Sequence, residues 1–175
     1  MTTRLGRDDT EVVFCACMAL VYHKFRCTIK QYFLHILSFI RNVSYVRLLT
    51  MTKVAFIGYG FMGRIHAACW YRIRGVRVAA VCVRNPASLA RSVKVYGCVG
   101  EALPANLPSD VAVYTDAERM LDEVRPDIVD VVLPTALHAA AVGCALAHGA
   151  HVLCEKPLAR DAREADRILK AAARA

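Results

Sequence analysis

Glycines at 58, 60 and 63 follow directly on an apolar run in VAFIGYGFMG, residues 54–63. A G-x-G-x-x-G spacing can cradle the pyrophosphate of a dinucleotide, although unrelated turns also carry three glycines. What strengthens the dinucleotide reading is its place, between a strand-like run and a helix-like run inside a βαβ unit. Gly58 would permit the tight turn. Gly60 would let a pyrophosphate approach the backbone without meeting a side chain, and Gly63 would let the helix pack closely on the strand. The N–H groups at the helix start, where Phe61 and Met62 stand, would then face the anion with the helix dipole behind them. A carboxylate about 20 residues past the glycines would hydrogen-bond the ribose hydroxyls of NAD. Val83 occupies that place, 20 residues after Gly63, and Arg84 follows it. An acid there would repel a 2′-phosphate, whereas an apolar residue beside a guanidinium would accept one. NADP is therefore expected over NAD, the alternative being that Arg84 is a solvated turn residue.

These residues need elements to hold them, and an alternation of strand and helix after Met51 supplies them. Apolar runs at 53–58, 76–83, 111–115, 127–133 and 151–155 read as five strands. Helices are expected over 61–73, from Pro86 at a first helical turn to about Val95, from Asp116 as a cap to Val124, from about Ala136 to Gly149, and from Asp161 as a cap through Lys170. Residues 97–110, with two glycines and two prolines, read as a loop. Right-handed crossovers then give an α/β fold, a doubly wound parallel sheet of about five strands in the order 3-2-1-4-5.

The chain of 175 residues carries a formal charge of +8. Residues 1–50 hold seven Lys/Arg against three Asp/Glu, and 51–175 hold sixteen against twelve. No basic block interleaves with aromatics, which argues against a nucleic-acid partner. Cysteines 15, 17, 27, 69, 82, 98, 144 and 154 form no C-x-x-C pair. Several sit inside apolar runs and read as core thiols, Cys154 among them, in a reduced, cytoplasmic chain without a metal site.

Composition changes at about residue 50. The first 50 residues hold seven aromatics and two alanines; the remaining 125 hold seven aromatics and 25 alanines. The leader's apolar runs, VVFCACMALVY (12–22) and YFLHILSFI (32–40), are shorter than the roughly 20 residues of a spanning helix, so a membrane partner is not expected. Asp8, Asp9 and Glu11 spoil the basic region of a signal peptide. Three readings stay open for residues 1–50: an amphipathic extension capping the domain or touching a membrane surface, a targeting segment, or an upstream translation with no selected fold, Met51 being the start. The last is favoured, with 51–175 as the dinucleotide-binding domain.

DVVLPTALHAAAVGCALAHGAHVLCEKPLARDAREADRIL, residues 130–169, together with VAFIGYGFMGRIHA, resembles the N-terminal cofactor domain of the glucose-fructose oxidoreductase, inositol dehydrogenase and MocA-like family of NAD(P)-dependent oxidoreductases. The likeness covers residues 52–175 and implies a Rossmann fold. Its most telling motif is Glu155-Lys156-Pro157 after the fifth strand, with Pro134 and His138 after the fourth. In the family the lysine of this motif lies at the nicotinamide end and contacts the reacting hydroxyl or carbonyl, which makes Lys156 the catalytic candidate. Such a position, past the carboxyl end of a parallel strand, is where these sheets hold ligands. An ammonium there can polarise a substrate oxygen and steady an alkoxide during hydride transfer. The resemblance further implies that Glu155 orients the lysine or the nicotinamide side, that Pro157 fixes the turn, and that Pro134 and Thr135 line the nicotinamide ribose region, with His138 at the following helix start. His138 can equally be a helix-start residue with its own hydrogen bond. His66 matches a common family pattern and is read as packing, as are Trp70 and Tyr71.

Family members continue into a second α/β domain that supplies most substrate contacts and the usual proton-transfer residue. The chain is thus expected to be truncated before that domain, and to lack the sixth strand of the cofactor domain. Two functions follow. One is the cofactor half of an oxidoreductase acting on a sugar, polyol or related CH–OH or carbonyl substrate, inactive until a C-terminal domain is supplied. The other is a non-catalytic dinucleotide-binding module, regulatory or partner-dependent. An exposed sheet edge favours the first.

Overall fold

The computed structural model describes residues 12–14, 51–90 and 107–175. Its strands are β1 (Val12–Phe14), β2 (Thr52–Ile57), β3 (Val76–Cys82), β4 (Ala112–Tyr114), β5 (Ile128–Val131) and β6 (His151–Cys154). Its α-helices are α1 (Phe61–Trp70), α2 (Ala117–Val124), α3 (His138–Ala147) and α4 (Ala162–Ala172). All strands are parallel, in the order β1-β6-β5-β2-β3-β4. Within the five strands after Met51 this is the doubly wound order expected from the alternation of elements.

Side-chain alternation along the strands sorts the core into two layers. Val54, Phe56, Val78, Val81, Ile128 and Leu153 face α1, which answers with Ala67, Cys69 and Trp70. Ala55, Ile57, Ala80, Cys82, Val129, Val131, Val152 and Cys154 face the other way. That second layer is covered by Met120 and Leu121 of α2, Val142, Ala145 and Leu146 of α3, and Ile168 and Ala172 of α4. Val78 and Val81 share a face although three apart, because β3 carries one extra residue, Ala79, at a bulge opposite Val54/Ala55. Strands buried on both faces read as unbroken apolar runs, which is why they were legible without alternation.

Local chemistry sets the helix ends. Asp116 and Asp161 both cap as expected, accepting from Arg119 N–H and Glu164 N–H at 2.8 Å each. Gly149 closes α3 with φ +72°.

One expectation needs correction. The stretch after β3 is a 3-10 turn, Pro86–Ala90, rather than the start of a visible α-helix, and residues 91–95 lie outside the described part. Asn85 organises the turn: its Oδ1 accepts from Ala87 N–H, and its carbonyl accepts from Ser88 N–H. These local bonds satisfy the backbone without an i−4 ladder. The five strands expected after Met51 are all present, and Val12–Phe14 adds a sixth in parallel with Val152–Cys154, so the outer edge of β6 is covered over these positions. The leader's second apolar run, 32–40, lies outside the described residues, as do Cys15, Cys17, Cys27 and Cys98. Cys69, Cys82, Cys144 and Cys154 are free thiols.

Candidate cofactor site

Every strand of a parallel sheet ends on the same side, so the turns after β2, β3, β5 and β6 gather there. These turns hold the candidate residues.

After β2 the chain turns at Gly58, whose φ is +93°. A Cβ at Gly58 would run into the Val132 carbonyl and come within 2.9 Å of the Leu133 side chain. Only glycine suits both the conformation and the space. Gly63 lies against the Gly58 carbonyl, where a Cβ would stand 3.1 Å away. Gly60 differs from both: a Cβ there would meet nothing within 4 Å. The backbone at Gly60 therefore borders open space in front of α1. That helix start has no side-chain cap and no acidic residue in its first turn, unlike α2 with Asp116 and Glu118 or α4 with Asp161 and Glu164. Its first N–H groups, those of Phe61, Met62 and Gly63, have no side-chain cap, a setting in which an anion could be held. Phe61 is exposed and Met62 half-buried.

Gly58 N–H donates to the Cys82 carbonyl at 2.9 Å, which sets the corner after β3 beside the glycine turn. Val83 at that corner is buried and Arg84 is exposed. Arg64, one turn into α1, braces the same corner. Its Nη2 donates to the Leu89 carbonyl at 2.8 Å, and its guanidinium lies 5.6 Å from the Tyr59 ring centroid.

Across the mouth, Pro134 is exposed and Thr135 half-buried at the start of the 3-10 turn Thr135–Leu137. His138 is only 1% exposed. Its Nε2 lies 2.8 Å from the Leu133 carbonyl and its Nδ1 lies 3.0 Å from the Pro157 carbonyl. Both ring nitrogens are engaged by the main chain, so His138 joins the turn after β5 to the turn after β6 from beneath. In that second turn Lys156 and Pro157 are exposed, their peptide bond is cis, and Glu155 is buried.

Glu155 leads to a feature that sequence reading missed. His66, taken as packing, is buried between two carboxylates. Its Nδ1 lies 3.0 and 3.1 Å from the Asp130 oxygens, and its Nε2 lies 3.0 Å from Glu155 Oε1. The second contact is close enough for charge attraction but is not aligned as a hydrogen bond. Trp70 Nε1–H donates to Asp130 Oδ2 at 2.8 Å, so Trp70 packs and also binds. Tyr71 next to it is exposed. Burial works against charge on His66, yet Asp130 and Glu155 outweigh it and hold the imidazole up at about 10. Burial likewise opposes charge on Glu155, but His66 and the Lys156 backbone N–H hold its carboxyl below the usual range. The signal was present in the sequence: an aspartate inside the apolar strand 127–133 needs a buried partner, and His66 and Trp70 stand four apart on one helix face.

Comparison with known proteins agrees with this geometry. Residues 52–175 match the family described as "Oxidoreductase family, NAD-binding Rossmann fold". An inositol 2-dehydrogenase of Streptomyces avermitilis is 35% identical over 69% of this chain and 32% of its own length. A D-apiose dehydrogenase of Paraburkholderia graminis is 30% identical over 70% of this chain and 30% of its own. Among solved structures, scyllo-inositol dehydrogenase of Lactobacillus casei, with bound NAD(H) and scyllo-inositol, aligns with a TM-score of 0.56 at 26% identity, over 72% of this chain and 34% of that one. The chain thus spans about a third of the length of these relatives. Through residues 52–175 it belongs to the glucose-fructose oxidoreductase, inositol dehydrogenase and MocA oxidoreductase family, whose hallmark is this NAD-binding Rossmann fold.

Proposed function

We propose that this chain is the cofactor half of an oxidoreductase that moves hydride between NADP(H) and a sugar, polyol or related CH–OH or carbonyl substrate. The observation that carries the proposal is the uncapped start of α1, where Gly60 borders open space and no first-turn carboxylate repels an anion. Those features fit a pyrophosphate, so Gly58, Gly60, Phe61, Met62 and Gly63 would hold it through backbone N–H groups. Arg84, exposed at the corner after β3, would take a 2′-phosphate, with NAD as the alternative ligand. Pro134, Thr135, Pro157 and Glu155 would shape the nicotinamide end, with His138 bracing their turns from below.

The bound dinucleotide would supply hydride acceptance and donation. Lys156 would do the work of the chain itself. Its ammonium, exposed past β6, would donate a hydrogen bond to the substrate oxygen and stabilise negative charge there. The sugar and polyol dehydrogenases among its relatives support the substrate class. Turnover is proposed to require a substrate domain, because this chain spans about a third of those relatives' length. The free thiols support a reduced, cytoplasmic setting. No described helix is long and apolar enough to cross a membrane. Fluorescence titration of the whole chain with NADPH and with NADH tests the cofactor choice. Tighter NADPH binding is expected, and tighter NADH binding would overturn the role given to Arg84.

A further inference from the structure

His66, Asp130 and Glu155 meet in the core layer beneath α1, where they are 1%, 0% and 5% exposed. They come from three elements: the helix that opens at the glycine turn, the central strand β5, and the turn that carries Lys156. Burying three ionisable groups is unfavourable unless they satisfy one another. Hydrogen bonds and one close charge contact show how they do so. Asp130 binds His66 Nδ1 and accepts from Trp70 Nε1–H. Glu155 places Oε1 3.0 Å from His66 Nε2, while its Oε2 accepts the Lys156 backbone N–H at 2.9 Å. A neutral imidazole carries one N–H and would turn a lone pair toward one of the two carboxylates. An imidazolium donates to Asp130 from Nδ1, presents positive charge to Glu155 at Nε2, and leaves one net negative charge in the cluster rather than two.

We propose that His66 is a positioning residue, an imidazolium that clamps Glu155 to Asp130 and thereby fixes the Lys156 main chain relative to the glycine helix. The two ends of the candidate site, glycine turn and lysine turn, are then joined by one buried charge network as well as by packing. The bearing on hydride transfer rests on the function proposed above; the clamp itself does not. The other charged and titratable groups facing the cluster are the Lys156 ammonium, which favours charge on Glu155, the Arg72 guanidinium beside Cys69, and two thiols. Burial, with Asp130 adding to it, raises Cys69 on α1. Burial, with Asp130 and Glu155, pushes Cys154 on β6 up to about 12. Both thiols are thereby held in the neutral form at neutral pH, so the charge on His66 sets that of the cluster there.

Nitrogen-15 NMR of the imidazole and amide hydrogen exchange on the whole chain, without cofactor, test the clamp. The His66 ring is expected to be doubly protonated at neutral pH. In His66→Gln the Lys156 amide is expected to exchange at least about tenfold faster, while the β2 amides of residues 54–57 keep their protection. A neutral ring at neutral pH, or an unchanged Lys156 amide in a folded His66→Gln, overturns the proposal. Should His66→Gln not fold, Glu155→Gln takes its place. The ring is then expected to release its proton at lower pH than in the wild type, and an unchanged titration overturns the clamp. An NADPH titration of the wild type runs beside these measurements. Failure to bind NADPH while the ring and amide behave as expected would strike the cofactor reading and leave the clamp standing.

Discussion

At the scale of single residues, the chemistry divides between groups on the surface of the mouth and groups beneath it. Arg84 and Lys156 are exposed, and His66, Asp130, Glu155 and His138 are buried behind them. Spacing marks the first set as candidates: Arg84 by its distance from the glycines, Lys156 by its place in a motif. The second set depends on which strand lies beside which, and spacing alone hides that. His66 and Glu155 are far apart in sequence and 3.0 Å apart in space. Their ionisation has a consequence for stability. His66 is raised from 6.5 to about 10 in the folded chain, so the stability it contributes is full below about pH 6.5 and is lost as pH rises toward 10. Glu155 is lowered from 4.5, so its contribution is present above that value and lost on acidification. The melting temperature should therefore fall between pH 6.5 and 10 in the wild type. In His66→Gln this slope should flatten, and an identical slope would count against the assignment. Arg84→Ala should weaken NADPH binding about tenfold, the scale of one charge-assisted hydrogen bond, and leave NADH nearly untouched.

Elements carry a different kind of information. Four of the five strands after Met51 could be read because they are largely buried on both faces and so are nearly all apolar, whereas β4 at the sheet edge is exposed and was readable only from its short apolar run. The Asp116 and Asp161 caps were readable because a short carboxylate before an amphipathic run has one favourable job. The turn 86–90 was misread because Pro86 suits the first turn of either an α-helix or a 3-10 helix, and Asn85 decides between them with its own side chain. β1 was invisible because its parallel partner, β6, lies far along the chain. At this scale the glycines make opposite predictions. Gly58→Ala combines left-handed backbone strain of about 1–3 kcal/mol with a clash against Val132, so it should lower the melting temperature distinctly. Gly60→Val has φ −79° and open space, so it should fold like the wild type and lose only what the open space was for. Equal melting temperatures for the two variants would contradict the account of this turn.

For the molecule as a whole, the fold and the family follow from residues 52–175, while the first 50 residues contribute three described positions of backbone pairing at one sheet edge. We propose that 51–175 is the unit that folds and binds. A chain begun at Met51 should keep the wild-type circular dichroism and bind NADPH within about twofold of it. Aggregation of the shortened chain would show that β1 is needed to cover the β6 edge. The central claim, that the open space before α1 is a dinucleotide site, is tested most directly by titrating the wild type and Gly60→Val with NADPH under the same conditions. Saturable binding is expected of the wild type, and its loss in a Gly60→Val chain that is folded and melts normally. Unchanged binding in that variant, or none in the wild type, would contradict it.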